Sequence, residues 1–163
     1  MKEVPLTQGF MAQVDDEDYD RIMQHKWYYH DGYAARGLSI EGKQVIQRLP
    51  NFIMQVYTGL FDHKDHNPLN NQQYNLRQCT QVQNNQNAMH PIGSSGYRGV
   101  TTNTNKRCKV KPWHARISIN GRRISLGRFN NSVAAACAYD TAAKKYHGEF
   151  AVLNFPEIGE TNG

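Results

Sequence analysis

Asp62-His63-Lys64-Asp65-His66-Asn67-Pro68-Leu69-Asn70-Asn71, followed by Asn75-Leu76-Arg77, Thr80 and Asn84, decides the reading of this chain. An adjacent carboxylate and imidazole can divide the work of hydrolysis: the carboxylate holds a hard cation, and the imidazole takes a proton from attacking water. Asn84 completes such a set. Thr80 with Gln83 is a capping-box pattern, which predicts a helix from near Thr80 that carries Asn84 on its first turn. A helix start holds a ligand rigidly, and its dipole favours a nearby phosphate. Taken singly, each asparagine between Asn67 and Asn87 fits a polar loop in which Asn67-Pro68 turns and the amides bond their own backbone. The ordered set points to a site.

That set resembles the HNH endonuclease motif of homing-endonuclease-like proteins from phages and bacteria. The resemblance implies a ββα-metal fold around one divalent cation, Mg2+ or Mn2+. Asp62 and Asn84 would be the metal ligands, His63 the general base, and Asn75 the residue that orients the histidine. The implied reaction is hydrolysis of phosphodiester bonds in double-stranded DNA, one strand per visit, hence nicking. Relatives of this kind often carry Met-His-Arg ahead of the Asp-His element, where this chain has Leu49-Pro50-Asn51-Phe52-Ile53-Met54. The departure bears on a phosphate or metal contact, and its proline would constrain an edge strand or a turn.

His63 and His66 suggest a zinc pair only superficially, because no Cys-x-x-Cys occurs and the nearest cysteine is Cys79. Cys79, Cys108 and Cys137 are widely spaced and odd in number, so no disulfide partner is expected and the thiols fit a reducing compartment. No apolar run approaches the roughly 18 residues that span a bilayer. Met1-Lys2-Glu3-Val4-Pro5 lacks the apolar stretch of a secretory signal. These features lead us to expect a soluble cytoplasmic protein, away from membranes, and the resemblance implies a bacterial or phage-infected host cell.

The net charge of +5 conceals an asymmetry: residues 1–90 hold 8 Lys and Arg against 10 Asp and Glu, and residues 91–163 hold 11 against 4. A basic second half fits attachment to a polyanion, or equally a solvated basic face. His90-Pro91-Ile92-Gly93-Ser94-Ser95-Gly96 has linker composition. At 163 residues the chain fits one domain or two small ones; the linker places a domain over 1–90, a linker over 91–96, a second domain over 97–156 and a tail over 157–163. The tether is short enough for both modules to act on one stretch of ligand.

In the first half, Asp15-Asp16-Glu17-Asp18-Tyr19-Asp20-Arg21-Ile22-Met23 predicts a short helix whose acidic first turn suits its dipole and is solvated. Lys26-Trp27-Tyr28-Tyr29 and Gly32-Tyr33-Ala34-Ala35-Arg36 predict a hairpin across His30-Asp31-Gly32. After the linker come three strands and a helix. Tyr97 to Thr101 and Trp113 to Ile119 are the first two strands, Asn120-Gly121 is a hairpin turn, and Arg123 to Gly127 is the third strand. Ile117, Ile119, Ile124 and Leu126 share one face; Arg116, Ser118, Arg123 and Ser125 share the other. A helix runs from about Ser132 to His147, stopped by Gly148, with Ala135, Ala136, Tyr139, Ala143 and Tyr146 at helical spacing. Trp113 reads as half-buried packing more than as a stacking platform.

Tyr97-Arg98-Gly99-Val100, Leu126-Gly127-Arg128-Phe129, Ala135-Ala136-Cys137-Ala138-Tyr139-Asp140, Ala142-Ala143, Gly148 and Leu153-Asn154-Phe155-Pro156 closely resemble the DNA-binding domain of the plant apetala and ethylene-response-factor family. The resemblance implies a three-stranded sheet in the DNA major groove with a helix packed behind it, and Arg98 at a base-contacting position. Thr101, Asn103, Arg116, Ser118 and Ser125 depart from the plant contact residues, so the plant target sequence does not transfer. On the residues themselves, Arg98, Arg116, Ser118, Arg123 and Ser125 are candidate DNA contacts, with Lys106, Arg107, Lys109 and Lys111 suited to the phosphate backbone. Leu6-Thr7-Gln8-Gly9 through Val14 to Tyr19 and on to Trp27 resembles the lead-in of phage and bacterial proteins that join an HNH nuclease to this second domain.

The expected fold is therefore α+β: a ββα-metal nuclease domain followed by a small three-stranded antiparallel sheet packed on one helix. The expected partner is double-stranded DNA, bound by a monomer or weak dimer. The alternative is a non-cleaving DNA-binding transcriptional regulator with a degenerate nuclease half. An RNA-binding protein is a third reading, because a basic sheet with aromatics also holds single strands.

Overall fold

The computed structural model describes residues 1–89, 92–102 and 112–156. The candidate backbone contacts Lys106, Arg107, Lys109 and Lys111, along with Asn103, Cys108, His90, Pro91 and the 157–163 tail, lie outside them. The chain is a mixed α+β protein of small antiparallel sheets, with four α-helices among the described residues. It divides into two compact units, Met1–Asn84 and Asn85–Gly163.

The first unit opens on a hairpin of β1 (Lys2–Pro5) and β2 (Met11–Val14), whose buried residues Val4, Ala12 and Val14 alternate with more exposed ones. Helix α1 (Asp16–Met23) follows. Strands β3 (Tyr28–His30), β4 (Tyr33–Ile40) and β5 (Lys43–Arg48) form a sheet in that order. Its turns, Asp31-Gly32 and Glu41-Gly42, each put two successive residues at positive φ, the backbone that matches strand twist in a two-residue hairpin. Only Gln47 of β5 is buried, so that strand is held by its ladder to β4 more than by an apolar face.

Helix α2 (Leu49–Ile53) replaces the turn or edge strand expected around Pro50. Proline fits the first helical turn because its missing N–H would lack an intrahelical partner there anyway. The far end of α2 is satisfied by Arg21, whose guanidinium donates to Phe52 O at 3.2 Å and Ile53 O at 2.7 Å while pairing with buried Asp18 at 2.6 Å. Val4, Val14, Ile22, Trp27, Leu49, Ile53 and Leu76 meet in one core. Trp27 Nε1 donates to Ile22 O at 2.9 Å, so the large ring buries without an unpaired donor. The unit continues with β6 (Leu60–His63) paired antiparallel to β7 (Leu76–Cys79), and helix α3 (Gln81–Asn87) follows.

The division between units falls inside α3, ahead of the segment read as a linker. Ser95 and Gly96 already belong to the second unit's turn structure: Gly96 N bonds Gly93 O at 3.0 Å, and Ser95 Oγ lies 2.7 Å from Val100 O.

The second unit contains β8 (Val100–Thr102), β9 (Trp113–Ile119) and β10 (Arg122–Phe129), ordered β10-β9-β8, with α4 (Ser132–His147) packed on the sheet. Asn131 caps α4 by accepting from Ala134 N at 2.7 Å. Ala135, Ala136, Ala142 and Ala143 let the helix approach Val100, Ala115 and Ile117 closely. A register shift between Ser125 and Gly127 marks a bulge in β10. Buried Asp140 accepts from Asn154 N at 2.9 Å, Asn154 Nδ2 at 2.9 Å and Phe155 N at 2.8 Å; Asn154 Oδ1 in turn accepts from Arg98 N at 2.6 Å. Removing that carboxylate strands backbone donors. Asp140→Ala is expected to cost about 2–3 kcal/mol, lowering the thermal midpoint of this unit by roughly 10 °C or more, read by circular dichroism melting.

Among the described residues no helix is long and apolar enough to cross a membrane. Cys79 and Cys137 are free thiols.

Candidate active site and nucleic-acid interface

Hairpin β6–β7 buries Asp62, His63, Asn70, Asn71 and Asn75, five polar residues on one short hairpin. Such groups are costly to desolvate unless paired, so the chain must supply them with partners. In the 64–75 loop the centre is Asp65. Its carboxylate accepts from Asn67 N at 2.8 Å, Asn70 Nδ2 at 2.7 Å and Asn75 Nδ2 at 2.9 Å. Partial burial alone would raise the Asp65 carboxyl, but these hydrogen bonds outweigh it and hold it below the usual carboxylate range.

Asn75 is fully engaged in this loop. Its Nδ2 also donates to Asn70 O at 2.8 Å, and its Oδ1 accepts from Asp65 N at 3.0 Å. The asparagine whose amide meets the histidine ring is Asn71, with Oδ1 3.4 Å from His63 Nε2. The family resemblance gives the orienting role to Asn75; in the structure Asn71 Oδ1 stands 3.4 Å from the ring nitrogen, and Asn75 bonds Asp65 and Asn70 within the loop. Burial lowers the His63 pKa from its ordinary value and outweighs the opposing effects of Asn71, Asp65 and Asp62; Arg48 pushes in the same direction as burial. The ring is therefore neutral near pH 7. The Tyr33 ring lies tilted beside it at 6.1 Å between centroids.

Asp62 stands opposite Arg77 in the β6–β7 register. Arg77 donates to Asp62 Oδ2 from Nε at 2.9 Å and Nη2 at 2.6 Å. Burial, followed by the Asp62 charge, raises the Cys79 thiol, which bonds Leu60 O at 3.5 Å and stays protonated.

The capping box forms at the start of α3: Gln83 Oε1 accepts from Thr80 N at 2.8 Å, and Gln83 N donates to Thr80 Oγ1 at 3.3 Å. Asn84 follows in the first turn, half-buried, with its backbone N bonded to Thr80 O at 2.9 Å. Among the described residues no cluster of three His, Cys, Asp or Glu is arranged to hold a metal.

The acidic stretch read as a solvated helix start does more than that. Asp15 accepts from Gln72 Nε2 at 3.0 Å and Gln73 N at 2.7 Å, and Gln73 Nε2 reaches Asp18 Oδ2 at 2.9 Å. Gln13 exchanges backbone bonds with Leu69 O at 2.8 Å and Asn71 N at 2.7 Å. The loop that carries Asn70, Asn71 and Asn75 is clamped by residues more than fifty positions earlier.

In the second unit, register places Thr101, His114, Arg116, Ser118, Arg123, Ser125 and Arg128 on the sheet face opposite buried Ala115 and Ile117. The expected Arg116, Ser118, Arg123 and Ser125 are all there. His114 and Arg128 join them, although sequence reasoning passed over both; the alternation from Ala115 already assigned His114 to this face. His114 Nδ1 accepts from Arg116 Nε at 3.1 Å, leaving Nε2 to donate to Ser125 Oγ at 2.8 Å. Burial first, then the Arg116 and Arg128 charges, lower its pKa. Arg98 is placed differently: it precedes β8, and its Nη2 donates to Ala88 O at 2.9 Å.

The chain is 28% identical over 151 residues to an uncharacterized HNH endonuclease of Acanthamoeba polyphaga mimivirus, an alignment covering 90% of this chain and 75% of that protein. It is 44% identical over 63 residues to an AP2/ERF and B3 domain-containing protein of Oryza sativa subsp. japonica. It is 43% identical over 68 residues to dehydration-responsive element-binding protein 2C of Arabidopsis thaliana. Those two alignments cover 39% and 40% of this chain but 16% and 18% of the plant proteins. No family model matches the chain. No solved structure matches it.

Proposed function

We propose that this chain is a metal-dependent HNH-type endonuclease that nicks double-stranded DNA and is positioned by its second unit. The β6–β7–α3 succession is the ββα-metal element of this reading, with the nuclease domain over 1–90 and the DNA-binding domain over 97–156. The observation that carries it is His63: a buried imidazole kept neutral by burial, oriented by Asn71 and adjacent in sequence to Asp62. The resemblance to the mimivirus HNH endonuclease over most of the chain supports the same reading.

Asp62 and Asn84 would hold Mg2+ or Mn2+. When bound, the cation neutralises charge developing on the scissile phosphate and the leaving oxygen. His63 accepts the proton of the attacking water, a task for which a neutral imidazole is needed. Asn71 holds the ring, and the Asp65-centred network holds Asn70 and Asn75. In the second unit, Arg116, Ser118, Arg123 and Ser125 present donors to the duplex, with Lys106, Arg107, Lys109 and Lys111 as phosphate contacts.

The Asp62–Arg77 ion pair favours a second reading, a non-cleaving DNA-binding regulator, because it spends on an internal cation the carboxylate that a metal would need. Conversion of supercoiled plasmid to open circle with Mg2+ or Mn2+ separates the two. Metal-dependent nicking that disappears in His63→Ala, with DNA binding retained, supports the nuclease; wild-type binding without nicking across a broad panel of DNA supports the regulator.

The nuclease reading fixes a pH dependence. Since burial lowers the His63 pKa below its ordinary 6.5, the acid limb of kcat/KM is expected to lie below pH 6.5. A limb above that value would mean that burial does not govern the titration of His63 in the working enzyme. Stability follows the same sign: the unfolded chain binds this proton more readily, so the contribution of neutral His63 is complete above pH 6.5 and is lost as pH falls from there toward the lowered folded value.

A further inference from the structure

A cleft of about 370 Å³ in the first unit is lined by residues that include His30, Asp31, Arg48, Asn51, Thr58 and Gly59. Its wall is built: Asn51 Nδ2 donates to Gly59 O at 3.0 Å, tying the first turn of α2 to the strand entry before β6. Arg48, at the end of β5, is exposed, and its Cζ lies 4.1 Å from the centre of the Tyr33 ring. Tyr33 is the ring that flanks His63 at 6.1 Å.

The partners of the arginines separate their roles. Arg21 is taken by Asp18 and Arg77 by Asp62. Among the described residues Arg48 has no ion-pair partner, and the rim carboxylate Asp31 lies 3.6 Å from His30 Nε2 instead. An exposed guanidinium in a polar cleft, stacked on the aromatic ring that borders a hydrolytic imidazole, matches the planar two-point geometry of a phosphodiester.

We propose that this cleft seats a DNA-backbone phosphate neighbouring the scissile one, bound by Arg48. The assignment rests on the nuclease reading for the role of His63, but the phosphate contact itself is measurable without cleavage.

The test uses the full chain as wild type, Arg48→Ala and Arg48→Lys. Binding to a fluorescent random-sequence duplex is measured in EDTA over a range of salt, and nicking is measured on supercoiled plasmid with Mg2+. Arg48→Ala is expected to lose about one unit of the slope of log affinity against log salt, and Arg48→Lys to keep it. Nicking kcat/KM is expected to fall about 10- to 100-fold in Arg48→Ala. Arg48→Lys should fall between, since lysine retains the charge but not the fork. Thermal melting verifies folding, with Arg48→Gln substituting for alanine if the alanine variant melts early. A wild-type salt slope in Arg48→Ala, or nicking equal to wild type, overturns the proposal. A wild type that never nicks, beside an Arg48→Ala that still loses the unit of slope, overturns the nuclease reading and leaves the phosphate site standing.

Discussion

Replacing His63 by alanine is expected to lower metal-dependent nicking by about 10²- to 10⁴-fold, the usual worth of a positioned general base. Burial keeps the imidazole neutral, Asn71 Oδ1 meets it at 3.4 Å, and Tyr33 covers one side. Loss of activity by unfolding must be separated from loss of the base. The hairpin retains its other anchors in the variant: the Asp62–Arg77 pair, the Asp65 network and the clamp from Asp15 all remain. His63→Ala should therefore keep its melting transition and its duplex binding while losing nicking. If nicking persists at wild-type rate, His63 is not the base. If binding and melting fail together with nicking, the residue is structural, and the assignment moves to a conservative variant such as His63→Gln.

The parts of the fold legible in the sequence were those governed by local rules. Helix α4 has the expected ends, Ser132 and His147, because the alanine spacing and the Gly148 stop both act within one element. Strand β9 and the Asn120-Gly121 turn followed from alternation and positive-φ chemistry. Strand β5 was missed since Lys43 to Arg48 bury only Gln47, leaving no apolar alternation to read. Pro50 was misplaced because a proline suits a strand edge, a turn and a first helical turn alike.

The candidate site divides in the same way. Asp62, His63 and the Thr80–Gln83 capping box were visible as neighbours in sequence. Arg77 facing Asp62 was not, because that contact depends on hairpin register across a loop of twelve residues, Lys64 to Asn75. Nor was the contact of Asn71 with the histidine ring, which depends on how the loop turns around Asp65. The clamp from Asp15 and Asp18 was hidden for a related reason: adjacent acids at a helix start satisfy the dipole argument on their own, and nothing local reveals that Gln72 and Gln73 come back to them.

Gly99→Ala is expected to unfold the second unit, at a cost of about 4–5 kcal/mol or more. Two effects add. Gly99 has φ +71, a backbone region that disfavours any side chain with a Cβ and costs about 1–2 kcal/mol. A Cβ there would also run into Cδ2 and Cε2 of the Tyr139 ring and come within 2.8 Å of Arg116 O. Neither neighbour can yield cheaply. Tyr139 is buried in the core beneath the sheet, and Arg116 N already donates to Gly99 O at 2.8 Å, fixing the two backbones against each other. The double variant Gly99→Ala with Tyr139→Leu tests the mechanism, since a smaller side chain relieves the ring clash but not the positive φ or the Arg116 contact. Its stability should remain well below that of Tyr139→Leu alone. The readout is duplex binding together with the melting of the full chain: Gly99→Ala loses the transition of the second unit and the binding that depends on it, while the first unit retains its own. A Gly99→Ala protein that melts as wild type would mean that β8 and α4 do not pack as described.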